Sequence, residues 1–229
     1  MLDARLSCCA SFVRSGSLLA DIGTDHAYLP IWLVQNKICR SVIAADLRQG
    51  PLDSAQKNIL SAGLQQHITT RLSDGLTKIH PHEAEDIVIA GMGGHLIVSI
   101  LEAAPWIKDP QKRLILQPMS DAPIVRRWLC ENGFDILAER AVHCGKHLYG
   151  VMHAAYSATV LQPDEVFYRV GRMSDGGADE QAYIARELRR LQEKVEGLQK
   201  SKFAKQSTED LQDMIRKIQT ILQCMEEKV

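Results

Sequence analysis

The chain has 229 residues, 45% hydrophobic and 24% charged, enough for one α/β domain and a smaller appendage. Its net charge is −1, and the balance holds by region: residues 1–160 carry 15 basic and 15 acidic side chains, residues 161–229 carry 12 and 13. This excludes a uniformly basic nucleic-acid binder, and no apolar stretch approaches the roughly 18 residues a membrane span needs. The N-terminal MLDARLSCCASFVRSGS is too polar for a signal peptide, so a cytoplasmic location with no membrane contact is expected. Six cysteines without a CxxC pair argue against a metal site or a disulfide framework. All six are expected to be free, buried thiols.

A short helix is predicted over Leu2–Val13, with Leu2, Leu6, Cys9 and Val13 on one face. Strand-like runs follow at Leu18–Ile22, Val42–Asp46, Ile68–Leu72, Asp86–Ala90 and Leu114–Gln117. Helices alternate with them at Ala27–Gln35, Pro51–Ala62, His95–Ala103 and Ala122–Asn132. Pro51 and Pro123 suit helix starts, and Gly63 and Gly133 suit helix ends. Such short, wholly apolar strands belong in a parallel sheet covered on both faces. Asp135–Val142 and His147–Tyr156, joined by His143–Lys146, form a predicted hairpin, so at least one strand runs antiparallel. A Rossmann-like α/β sheet with a closing hairpin resembles the class I methyltransferases; dehydrogenase domains normally lack that hairpin.

The last third changes period. Ile184, Leu188, Leu191, Val195 and Leu198 repeat at heptad-like spacing, as do Leu211, Ile215, Ile218, Leu222 and Met225. A short polar link at Ser201–Ser207, with Ser207 and Asp210 as a capping box, implies an antiparallel helical hairpin or coiled coil. The hairpin is expected to pack on itself and rest on the domain, which leaves a monomer or weak homo-oligomer. The boundary is placed at 160/161, with Met173–Asp179 as a hinge.

Candidate chemistry gathers where the strands end. Asp21-Ile22-Gly23 closes the first strand, and Asp46 closes the second at the spacing of a ribose-binding acid. The loop has one glycine where a dinucleotide fingerprint has three, and Thr24, Asp25 and His26 fill the remaining positions. An acid there repels phosphate but suits a cationic, phosphate-free cofactor, which points to S-adenosyl-L-methionine rather than NAD. Asp21, Gly23, Thr24, His26, Asp46 and Leu47 are therefore candidate cofactor contacts, with Arg48 and Gln49 at the edge. Asp74-Gly75 after the third strand places an acid for an adenine amino group, or is a plain turn. Ala90, Gly91, Met92 and Gly93 follow the fourth strand, where glycines clear space for a ligand. Gln117 at the end of the fifth strand serves either a substrate base or a turn.

DIGTDHAYLP at 21–30, AAD at 44–46, GPL at 50–52, DGL at 74–76, IAGMGG at 89–94 and LILQP at 114–118 occur in order. Together they resemble the bacterial tRNA (adenine-N1)-methyltransferase family acting on adenosine 22. The resemblance implies S-adenosyl-L-methionine, a tRNA partner and methyl transfer to adenine N1. N1 already carries a nucleophilic lone pair, so the site must chiefly align it and stabilise charge shifting onto the ring. Asp25 is the candidate catalytic residue, accepting from the N6 amino group. Arg186, Arg189, Arg190 and Lys194, with Lys200, Lys202 and Lys205 beyond, form either a tRNA grip or a solvated helix face. The residues alone leave open a methyltransferase for another RNA or a small molecule, or a non-catalytic cofactor-binding protein.

Overall fold

The structure, a computed structural model, describes residues 2–199 and 205–227. Its seven strands are β1 (Ser17–Ile22), β2 (Cys39–Asp46), β3 (Ile68–Leu72), β4 (Asp86–Gly93), β5 (Arg113–Ser120), β6 (Phe134–Cys144) and β7 (His147–Tyr156). They form one sheet in the order β3-β2-β1-β4-β5-β7-β6. The first five run parallel, and β7 lies antiparallel between β5 and β6. The chain moves outward from β1 to β3 and then returns to β4 on the other side of β1. Loops leaving β1 and β4 part at that point, where open α/β sheets bind ligands.

Helices α1 (Ala4–Ser11), α2 (Tyr28–Gln35) and α3 (Gln49–Ser61) cover one face; α4 (Gly94–Glu102) and α5 (Ala122–Glu131) cover the other. Strand side chains alternate between them. Leu19, Val42, Val88 and Ile115 join the first core, while Ala20, Ile43, Ile87 and Leu114 join the second. Helix α1 is fastened by Arg14 at its end, whose Nε donates to the fully buried Asp86 carboxylate at 2.7 Å. Gly63 and Gly133, with φ of 68° and 79°, follow α3 and α5 in the left-handed conformation that ends helices.

The C-terminal part holds α6 (Glu165–Val170), α7 (Ala178–Gln199) and α8 (Lys205–Glu226). Ile184, Leu191, Val195, Leu211, Ile218 and Met225 form a third core that also takes Ala141 and Leu148 from the β6–β7 hairpin. The two long helices therefore pack on each other and on the sheet's edge. Among the described residues, no helix is long and apolar enough to cross a membrane.

Several expectations need correction. Helix α6 is new: its six residues are too few to show a period, and Asp164 Oδ1 caps it by accepting from Phe167 N at 3.0 Å. Strands β4 and β5 continue past Ala90 and Gln117 to Gly93 and Ser120 with shifted register. Glycines and Pro118 hide that extension because they lack strand propensity. Met173, expected to open a hinge, is fully buried against Gly150 and Tyr183. Cys9, Cys39 and Cys130 are buried, but Cys224 is exposed on α8. The link at Ser201–Ser207 falls largely on residues outside the description, as does the Ser207 side chain of the expected capping box.

A buried ion pair is among the contacts that join the two parts. Arg126 of α5 is fully buried; its Nε donates to Glu139 Oε1 at 2.9 Å, and its Nη1 donates to the carbonyls of Tyr168 and Arg169 at 3.0 and 2.8 Å. Glu139 Oε2 in turn accepts from Arg172 N at 2.7 Å. Gly171, at φ 63°, lets the chain pass so close that a Cβ there would overlap the Glu139 carboxylate.

Candidate active site

A cavity of about 520 Å³ opens at the fork between β1 and β4. Every parallel strand from β1 to β4 delivers to its wall the residues that end it. Asp21, Gly23 and Asp25 come from β1, Asp46 and Leu47 from β2, Asp74 and Gly75 from β3, and Ala90, Gly91 and Met92 from β4. All ten stand among the sequence candidates, so the sheet converges on them from four separate stretches.

The loops are held by backbone bonds rather than by chance proximity. Gly23 N and Thr24 N both donate to Ala45 O, at 2.8 and 2.9 Å, which ties the first loop to β2. Ser73 N donates to Asp46 O at 2.9 Å, which ties the third loop to the same strand. Gly23 has φ 78°, and a Cβ there would overlap the Met92 methyl. The glycine thus lets β1 and β4 close on one another across the cavity floor. His26 and Ala27 follow with φ of 60° and 56°, a left-handed pair outside glycine. Such strain persists only where surrounding structure holds it.

The acids differ in setting. Asp21 is buried, and its pKa is pushed up to about 6 by that burial, against the lowering effects of the Thr24 hydroxyl and Arg5. Asp46 is also buried, and its Oδ1 accepts from Arg48 N at 2.8 Å. Asp74 and Asp25 are exposed, and the Asp25 side chain retains 77% of its accessible surface. His26 Nε2 lies 3.3 Å from Asp25 Oδ1, and its ring stacks on Tyr28 at 5.4 Å.

Five sequence candidates lie off the wall, Gln49 among them, whose Nε2 donates to Asp53 Oδ1 at 2.8 Å. Thr24 is buried beneath the loop. His26 faces Asp25 and Tyr28 from outside, and Gly93 sits against Ser120. Gln117 is fully buried: its Oε1 accepts from Gly91 N at 3.0 Å and from Arg5 Nη1 at 2.9 Å. The amide therefore holds the β4 loop and does not face a substrate base.

Arg5, Ser73, Leu96 and Ile100 line the cavity without having stood among the sequence candidates. Arg5 lies on α1, far along the chain from any motif, and only the folded sheet brings it beside Gly91. Leu47 and Leu96 are exposed large apolar side chains at the rim. Four carboxylates against two guanidiniums, Arg5 and Arg48, give the cavity an acidic wall. It suits a ligand with a positive centre, hydroxyls and an apolar ring, and it repels phosphate.

Comparison with known proteins agrees. Residues 2–152 match the family described as "Methyltransferase domain". The tRNA (adenine(22)-N(1))-methyltransferase of Bacillus subtilis (strain 168) is 42% identical over 138 residues, 60% of this chain and 58% of that protein's length. The crystal structure of the B. subtilis m1A22 tRNA methyltransferase TrmK superposes with a TM-score of 0.81 at 31% identity, covering 98% of each chain. This chain belongs to the tRNA (adenine(22)-N(1))-methyltransferase family. A third relative, Streptococcus pneumoniae Sp1610 in complex with S-adenosyl-L-methionine, gives a TM-score of 0.78 at 33% identity, covering 97% of this chain and 100% of its own. The family likeness extends over the C-terminal helices, because both structural matches span nearly the whole chain.

Proposed function

We propose that this chain transfers a methyl group from S-adenosyl-L-methionine to N1 of adenosine 22 in tRNA, in the cytoplasm. The observation that carries the reading is the acidic cavity at the β1–β4 fork, in a chain that matches this family over nearly its full length. Residues 1–160 supply the methyl-transfer site and residues 161–229 contact the RNA.

The residues fit the cofactor by their chemistry. A buried carboxylate with a raised pKa, Asp21, gains from a cation placed beside it, and the cofactor carries an ammonium and a sulfonium. Asp46 ends β2 where it accepts from ribose hydroxyls, and Asp74 stands where it accepts from an adenine amino group. Gly23, Gly75 and Gly91 keep side chains off the floor, and Met92 packs across it. Arg5 is the cation beside Gly91 and pairs with a carboxylate on the amino-acid end. When bound, the cofactor supplies an electrophilic methyl group.

The protein's part is then to present N1 and to favour positive charge on the adenine ring. Asp25 is exposed at the mouth beside the cavity, so it can accept from the N6 amino group of an incoming adenine. Its negative charge stabilises the ring as N1 becomes alkylated, with no prior deprotonation needed. His26 sets the position of Asp25 through their 3.3 Å contact.

Incubation of unmodified tRNA transcript with methyl-labelled cofactor, followed by nucleoside mapping, tests the reading. Label in 1-methyladenosine at position 22 supports it; label elsewhere, or none, overturns it. Asp25→Ala is expected to lower turnover by about 10–100-fold while S-adenosyl-L-homocysteine still binds. Full turnover in that variant would remove Asp25 from the chemistry.

A further inference from the structure

Beside the cofactor cavity lies a second groove of about 480 Å³. It runs between the β5–α5 turn, the start of β7 and helix α7. It neighbours the cavity across the β4–β5 ladder, where Met92 of the cavity wall pairs with Pro118 of the groove at a point of shifted register. The groove holds three guanidiniums, Arg169, Arg186 and Arg190, against Asp121 and Glu187.

These arginines are not equally committed. Glu187 is only 2% exposed and is shared by Arg186 and Arg190, at 3.3 and 2.8 Å. Arg186 also donates to Leu148 O and stacks over the Tyr183 ring at 4.5 Å, while among the described residues its buried Nε has no hydrogen-bond partner. Arg190 keeps 60% of its side-chain surface. Arg169 is half-buried, and among the described residues its guanidinium has no hydrogen-bond or ion-pair partner. Its backbone carbonyl is fixed by Arg126 at 2.8 Å, so the side chain projects from a rigid point.

We propose that this groove binds the phosphodiester backbone of the nucleotides flanking the target base, with Arg169 and Arg190 as the phosphate ligands and Arg186 as their support. The inference rests on the reading of the substrate as RNA. The cavity's aspartates repel phosphate, so a strand whose base enters there must run its backbone over a neighbouring surface. This groove offers Arg169, unpartnered among the described residues, and Arg190, which is exposed and tied to Glu187 through Nη1, as guanidiniums able to form forked bonds to phosphate oxygens. Met119, exposed on β5, and Tyr149 lie on its walls and give apolar area for an unstacked base.

The test measures full-length protein binding to tRNA transcript as a function of salt. The Arg169→Gln/Arg190→Gln double variant is expected to bind about tenfold more weakly, and its log–log salt slope is expected to fall by about 1 for each phosphate no longer neutralised. Arg169→Lys keeps a point charge and recovers part of the slope. Lys57→Gln, which removes one positive charge on the exposed side of α3, leaves slope and affinity at wild-type values. Affinity for S-adenosyl-L-homocysteine stays unchanged in all of them, which reports an intact fold. A wild-type slope in the double variant, or an equal loss in Lys57→Gln, overturns the groove. Methylation of the same transcript by the wild-type protein separates the two ideas: methylation with an unaltered slope removes the groove alone, and no methylation removes the substrate reading.

Discussion

The cavity at the β1–β4 fork is lined by four aspartates and two arginines, whereas the groove beside it carries three arginines against two acids. The cavity is built from loops that end consecutive strands, each within a few residues of a glycine. The groove is built from the end of β5, the start of β7, and helices α6 and α7. One site is assembled by sheet topology and the other by packing of an appended helical part. A balanced net charge conceals both, because opposite local excesses cancel over the chain. Met92 of the cavity and Pro118 of the groove are paired across β4 and β5, which sets the two sites side by side.

That contrast gives ways to break each side separately. The largest effect is expected at the buried ion pair that ties the sheet domain to the C-terminal part. Arg126→Met leaves Glu139 buried without its partner, and a loss of about 3–5 kcal/mol in denaturant unfolding is expected. Replacing both partners with apolar residues recovers much of it if the cost is the orphaned charge. Next is Asp46→Ala, which removes the ribose acceptor; calorimetry is expected to show roughly 100-fold weaker S-adenosyl-L-homocysteine binding with tRNA binding retained.

Asp21 gives a pH signature. Its folded pKa of about 6 lies above the ordinary value of 3.8, so between those two values the folded chain holds a proton that the unfolded chain has lost. Its contribution is most favourable below about pH 4, declines as pH rises to about 6, and is level above that. Asp21→Asn is expected to remove this decline and to stabilise the ligand-free protein by about 1–3 kcal/mol at pH 7.5, read by thermal unfolding. The same variant binds S-adenosyl-L-homocysteine more weakly, because the cation loses its partner. The smallest effect is expected at Arg5. Arg5→Ala weakens S-adenosyl-L-homocysteine by about tenfold but leaves 5′-methylthioadenosine, which lacks the amino-acid end, unchanged. Equal weakening of both ligands would assign Arg5 to loop support through Gln117.

Legibility in the sequence followed the same division. The parallel strands, their order of chemistry and ten cavity residues stood out because glycine and aspartate act locally: a left-handed turn or a strand-end acid leaves its mark where it occurs. Arg5 left no such mark, since its place beside Gly91 depends on where α1 packs. Gln117 was visible but ambiguous, and burial turned it into a clamp for the β4 loop. The arginines of α7 were visible as a charged run, yet nothing local separates Arg186 and Arg190 in the groove from Arg189 and Lys194, which are exposed and off its walls. Lys200 and Lys202, and the Lys205 side chain, lie outside the described residues. Arg169 was missed because α6 itself is too short to show a period.

The central claim, that the acidic cavity serves methyl transfer to one adenine of tRNA, is tested most directly with two transcripts that differ only at position 22. With adenosine there, the wild-type protein and methyl-labelled cofactor are expected to give one label per tRNA, recovered as 1-methyladenosine. With guanosine there, incorporation is expected to vanish while tRNA binding persists. Equal labelling of both transcripts would contradict the account.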